Sequence, residues 1–260
     1  MKQWSGLMKK EWFSMKEWFY GVIGAAILCI LIIPFGISLF YKEVNPLGIS
    51  FGISIFWTVS GVVIPTVVLL TSLGKEMQRP DTWLHSTASI RKLLGVKMTF
   101  AALVGGLNLL VSMAMLFIQL RFSTLPLEVT FKTIIQMGSL LIFALYVTSI
   151  LIMCTGLFFG AIFQVIKPVV KGFTWPIIVI LFLVTSWVTE RITRTALYNK
   201  IGGIGPVFGP EKGAFGLEEG NYIFEIEEIY FRTGDLLMDV IVAVILFIIA
   251  TVLIEKKVRL

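Results

Sequence analysis

Apolar residues gather along this chain into six blocks, approximately 18–41, 50–74, 98–120, 134–163, 173–189 and 236–254, separated by polar segments of unequal length. A helix needs about 17–25 mostly apolar residues to cross roughly 30 Å of hydrocarbon. Each block therefore predicts one membrane-spanning helix, and six crossings place both termini on one side. The first block contains Pro34 and lacks a small-x-small cleavage site before Tyr41-Lys42-Glu43, so it is expected to stay in the mature protein rather than act as a signal peptide. The composition agrees with a bilayer as solvent: 57% of residues are hydrophobic, 15% are charged, and the mean hydropathy is +0.91. Soluble domains carry about 25% charged residues.

The N-terminal polar stretch has a helical pattern of its own. Trp4, Leu7, Met8, Trp12 and Met15 recur at helical spacing, while Lys2, Lys9, Lys10, Lys16 and Glu17 occupy mostly other positions. Residues 1–17 thus predict an interfacial elbow helix lying among the inner headgroups of membrane lipids and leading into the first span at Trp18. The alternative is a plain extension of the first span.

Orientation follows from Lys and Arg in the short connections. Most of the 22 basic residues fall at the termini, in 75–97, and at Lys167 and Lys171, whereas 190–235 carries most of the remaining basic residues beside many glutamates. The expectation is a multi-pass protein of a prokaryotic cell membrane with both termini cytoplasmic and 190–235 extracellular. This asymmetry accounts for the formal charge of +6. No basic stripe interleaved with aromatics forms a compact patch, so nucleic acid is not an expected partner. Cys29 and Cys154 lie inside spans, with neither disulfide nor metal spacing, and read as packing residues.

The segment 75–97 is the densest polar stretch between two spans. Pro80 breaks any helix continuing from the second span, Asp81 can cap a short helix over 82–87, and Ser89 can cap the helix that enters the third span. The product is a short amphipathic helix tethered at both ends, presenting Trp83 and Leu84 beside Glu76, Arg79, His85 and Arg91. Apolar anchors with a charged rim suit a groove in a partner protein. A solvated loop whose positive charges only set topology is the competing reading.

With Glu76, Thr82, Leu84, Ser86, Ser89, Leu93, Leu94 and Lys97 in this order, the segment resembles the signature of permease subunits of type-2 (ABC-2) exporters among the ABC transporters. Thr87-Ala88 stands where many members have a proline. The distinctive sequence covers about two dozen residues around 75–97; the layout of elbow helix, six spans, inner termini and larger fifth-to-sixth connection covers the chain. The resemblance implies an all-α integral membrane protein, one transmembrane permease domain over 1–260, in which 75–97 is a cytoplasmic coupling segment. It also implies docking of cytoplasmic ATPase subunits at Glu76, Arg79, Thr82, Trp83, Leu84, His85, Ser86, Ser89, Arg91, Leu94 and Lys97, and a second copy or homologous permease. ATP and Mg would sit on the partner. In this chain Gly74-Lys75 is followed by Glu76, without the upstream glycine of a phosphate-cradling loop, so no cofactor and no enzymatic activity of its own are expected.

Other features carry weaker signals. Gly156 and Gly160, like Gly48 and Gly52, put small residues on one helix face and permit close helix packing. Asn108, Gln119, Gln136, Tyr146 and Asp239 are polar groups inside spans that can mark a translocation pathway, with Asp239 near the outer boundary also suited to an interfacial anchor. Ser112, Thr148 and Ser149 share those spans. The acidic aromatic stretch 222–232 reads as an outer-surface helix. Glu227-Glu228-x-x-x-Arg232 matches an element of intramembrane metal-dependent proteases, but that chemistry needs downstream histidines and the sole histidine is His85. A membrane scaffold or sensor subunit that binds a cytoplasmic partner without moving cargo remains the alternative of a different class.

Overall fold

The computed structural model describes residues 2–40, 46–77, 89–122, 131–204, 207–208, 215–219, 222–226 and 231–258. Nine α-helices occur among them: α1 (Lys2–Ile27), α2 (Ile33–Phe40), α3 (Pro46–Gly61), α4 (Ile64–Met77), α5 (Ile90–Phe122), α6 (Phe131–Val170), α7 (Thr174–Thr193), α8 (Ala196–Gly202) and α9 (Thr233–Val258). Five helices are long and apolar enough to cross a membrane, and the count reaches six when α3 and α4, bent by 47° at a two-residue break, form one span.

The first span differs from its expected form. A π-helical turn, Leu28–Ile32, joins α1 to α2, so Gln3–Phe40 runs as one helix of 38 residues. At 1.5 Å per residue this is about 57 Å, well beyond the hydrocarbon thickness. Residues 3–17 are therefore a continuation of the first span, the alternative of the two sequence readings, and no separate elbow element breaks away from it. The π turn lies one turn ahead of Pro34, which offers no N–H to the Ile30 carbonyl four residues back. Ser50 donates to that carbonyl across the interface at 2.5 Å. Gln119 of α5 donates to Ser50 Oγ at 2.6 Å, and Ser54 Oγ lies 3.0 Å from Gln119 Oε1. The π turn, α3 and α5 are joined there by a satisfied polar cluster, which lipid cannot replace.

Helix α5 is central, packing on α1, α3, α4 and α6, while α9 lies along α6 and α7 sits at the periphery, mainly against α6. The largest buried cluster joins Met15 of α1, Val68, Leu69 and Leu73 of α4, Leu94, Phe100 and Val104 of α5, Met153 and Leu157 of α6, and Ala250 and Ile254 of α9. The core therefore gathers toward the end of the bundle where α4 finishes and α5 begins. Other faces leave large apolar side chains exposed, Phe182 and Leu183 of α7 and Ile245 and Ile248 of α9 among them, as a lipid-solvated surface requires.

The apolar helices make the body of the protein all-helical, as expected, and the described residues between α8 and α9 add a small extended element. It contains four short strands, with β2 (Phe215–Glu219) antiparallel to β3 (Tyr222–Ile226) and β1 (Val207–Phe208) antiparallel to β4 (Phe231–Arg232). Of the outer-surface helix expected over 222–232, the described residues Tyr222–Ile226 and Phe231–Arg232 are strands instead: Tyr222, Phe224 and Ile226 alternate with the period of a strand, and β-branched and aromatic residues favour that pleat.

Candidate functional site

The most distinctive polar arrangement sits where α1, α4 and α5 meet. On α1 the side chains turned inward are Met8, Glu11, Met15, Phe19 and Val22, spaced by three or four residues, so Glu11 lies within an apolar stripe. On α4, Ser72 and Glu76 are one turn apart on one face. On α5, Lys97 stands among the buried Leu94, Val96 and Ala101 and is itself only 2% exposed.

All three protons of the Lys97 ammonium find acceptors. Nζ lies 2.5 Å from Glu11 Oε1, 2.6 Å from Ser72 Oγ and 3.3 Å from Glu76 Oε2. Ser72 passes its own proton to Glu11 Oε2 at 2.9 Å, and Lys10 donates to Glu76 Oε1 at 2.9 Å. Two ammonium and two carboxylate groups thus close into a network with no net charge. A buried charge left alone costs several kcal/mol, so such a cluster holds only when all members are present and paired.

Helices α1 and α5 are stitched by further contacts. Lys92 Nζ reaches Gln3 Oε1 at 3.3 Å, Trp12 packs edge-on against Phe100, and Trp4 lies so close to Gly95 that a Cβ there would stand 3.3 Å from its ring. Helix α1 therefore grips the last turn of α4 and the first turns of α5, the two elements that bracket residues 78–88.

The structure sorts the expected docking residues into four groups. Arg79, Thr82, Trp83, Leu84, His85 and Ser86 lie outside the described residues. Ser89 and Arg91 are exposed, and the Ser89 carbonyl accepts from the amides of Lys92 and Leu93, opening α5 where the sequence placed its start. Leu94 and Lys97 are a correction: both are fully enclosed, Leu94 in the core and Lys97 in the ion cluster, so neither is displayed to a docking protein. Glu76 is half-turned between the two settings, bonded to Lys10 on its exposed side and to Lys97 on its buried side. Glu11, Lys10 and Ser72 were not among the expected site residues. A carboxylate at the i−4 position of Met15 on the apolar face of α1, set against a lysine opening an apolar span, was the available signal.

The glycine pair packs closely, within the chain. A Cβ on Gly156 would come 2.4 Å from Thr66 Cγ2 and one on Gly160 3.0 Å from Leu70 Cδ2, so this face of α6 receives α4. The expected pathway residues do not come together. Asn108 accepts from Trp57 Nε1 at 3.1 Å, Gln119 belongs to the Ser50–Ser54 cluster, Gln136 is on an exposed face, Tyr146 lies against Gly106, and Asp239 is in the first turns of α9. For the protease element, Arg232 is in β4, while Glu227, Glu228 and His85 lie outside the described residues.

No protein-family model, curated protein or solved structure matches the chain. What the site can do rests on its own geometry. It fastens three helices at the end of α4 and the start of α5, which bracket residues 78–88, so a displacement of either end would be passed to α1, α4 and α5 together.

Proposed function

We propose that this chain is the membrane-spanning permease subunit of an ATP-driven exporter of the ABC-2 type. Residues 75–97 then face the cytoplasm and receive force from a separate ATPase subunit that binds ATP and Mg. The observation that supports this most is the ion cluster of Lys97, Glu11, Glu76 and Ser72, which ties both tethers of the 78–88 loop to α1. A rigid triplet of helices transmits a push as a rigid-body tilt, the usual form of an alternating-access change. The extended α1, continuous into the first span, takes the place of the elbow helix and rests Trp12 and Tyr20 near the inner headgroups.

Because Asn108, Gln119 and Gln136 occupy separate places in one chain, the translocation path is assigned to the interface with a second permease copy rather than to the interior of one subunit. The same separation favours, as a second reading, a scaffold or sensor subunit that binds a cytoplasmic partner without moving cargo.

Co-expression with a cytoplasmic ABC ATPase subunit separates the two. A permease co-purifies with the ATPase in stoichiometric amount and changes its hydrolysis rate when reconstituted in lipid, and Thr82→Arg with Leu84→Arg removes both effects without lowering the melting temperature of the permease. Hydrolysis that never responds to the membrane subunit would favour the scaffold reading.

A further inference from the structure

The interruption of the second span between α3 and α4 is built around one buried amide. Val62 and Val63 form a tight turn there, their amides bonding three residues back to Val59 and Ser60 at 3.3 and 3.2 Å. Pro65 lacks the N–H that a regular helix would supply to the Gly61 carbonyl. On the facing helix, Asn108 is 1% exposed, and its orientation is decided by chemistry: Trp57 Nε1–H can only donate, so the oxygen of the amide faces it and the nitrogen faces away. That nitrogen, Nδ2, points at the break, where a Cβ on Gly61 would lie 2.4 Å from it, and it has no hydrogen-bond partner among the described residues. Just past Pro65, the Thr66 hydroxyl is likewise buried and unpartnered.

The break is also held open sterically. Pro65 nests against Gly105, where any Cβ would overlap its ring at 2.1 Å, so α4 and α5 meet there backbone to ring. Interrupted helices in bilayers are tolerated where freed backbone groups are satisfied again by side chains or water, and they often mark binding places. The available groups are uncharged: an amide donor from Asn108, a hydroxyl from Thr66 and a backbone carbonyl at Gly61. This set suits a neutral molecule that both accepts and donates, and carries no charge to neutralise a bare cation or anion.

We propose that the break in the second span is a polar binding site for one small hydroxylic molecule, water in the protein without cargo, held between Asn108 Nδ2 and the Gly61–Val63 turn. The occupant bridges the fixed outer half of the span, pinned through Ser50, Ser54 and Trp57, to the inner half that carries Ser72 and Glu76. This holds whether or not the chain transports anything.

The test uses the full-length protein in lipid nanodiscs without added cargo, at a resolution that shows ordered water. The expected result is density about 3 Å from Asn108 Nδ2, within reach of a carbonyl of residues 61–63. In parallel, hydrogen exchange at the Val62 and Val63 amides should slow at least about threefold in Asn108→Leu, because the site loses its water. Gly61→Ala serves as the second variant, since its methyl group displaces the amide without removing the bond to Trp57. Asn108 Nδ2 bonded directly to a protein oxygen, an acyl chain in the site, or exchange that is unchanged or faster in both variants would overturn the proposal.

Discussion

Lys97 and Glu11 are 86 positions apart in sequence, yet their charged groups meet at 2.5 Å with almost no solvent contact. Removing one member of a buried pair leaves the other charged and alone, which costs about 3–5 kcal/mol, whereas removing both can be close to neutral. Glu11→Gln and Lys97→Met are each expected to destabilise the protein by an amount of that order. The double variant should lose markedly less than the sum. Melting in detergent across the four proteins measures the coupling, and additive losses would mean that the pair does not form.

The seam between α4 and α6 depends on the missing Cβ at Gly156. Gly156→Ala is expected to cost about 1–3 kcal/mol by overpacking against the Thr66 methyl. Thr66→Ser removes that methyl and should restore most of the loss in the Gly156→Ala background. Thermal stability of the two single variants and the pair decides it.

Gln119 holds Ser50 and Ser54 together through both ends of its amide. Gln119→Leu keeps the volume but leaves the serines without that partner, with an expected cost of about 0.5–2 kcal/mol, the range of polar contacts between membrane helices. Gln119→Glu, which keeps an acceptor oxygen for Ser54, should be milder. Unfolding in mixed micelles ranks the two, and equal stability of Gln119→Leu and the parent would contradict the cluster.

At the opposite end of the bundle, α8 lies against the start of α9 with the backbones in close approach. A Cβ on Gly234 would meet the Ile201 carbonyl at 2.4 Å and the Gly202 carbonyl at 2.6 Å, neither of which can move as a side chain would. Gly234→Ala should therefore loosen α8, seen as faster proteolysis within 196–232 at unchanged behaviour of α1, α4 and α5.

The spans were legible in the sequence because lipid imposes one demand everywhere, about 20 apolar residues in a row, and the glycine pair at 156 and 160 was legible as a close-packing face. What escaped has physical reasons. Glu11 was missed, although it stands at helical spacing with Met8 and Met15, because a charge in a polar N-terminal stretch is ordinarily solvated, and the packing of α1 on α4 and α5 is what encloses it. Lys97 read as a surface residue for the same reason, until its partners from two distant helices were placed around it. The strand pairing of 215–226 escaped because the glutamates of 222–232 suggested a solvated helix, while the alternation of Tyr222, Phe224 and Ile226 carried the opposite signal. Docking residues 79–86 have been read from the sequence alone.

The most direct measurement is the sidedness of residue 83. In a background with Cys29→Ala and Cys154→Ala, Trp83→Cys is labelled with an impermeant thiol reagent in intact cells and in inside-out vesicles carrying the ATPase. Labelling in the vesicles alone, blocked when the ATPase is bound, is the result expected of a cytoplasmic coupling loop. Labelling from the outside of intact cells would contradict it.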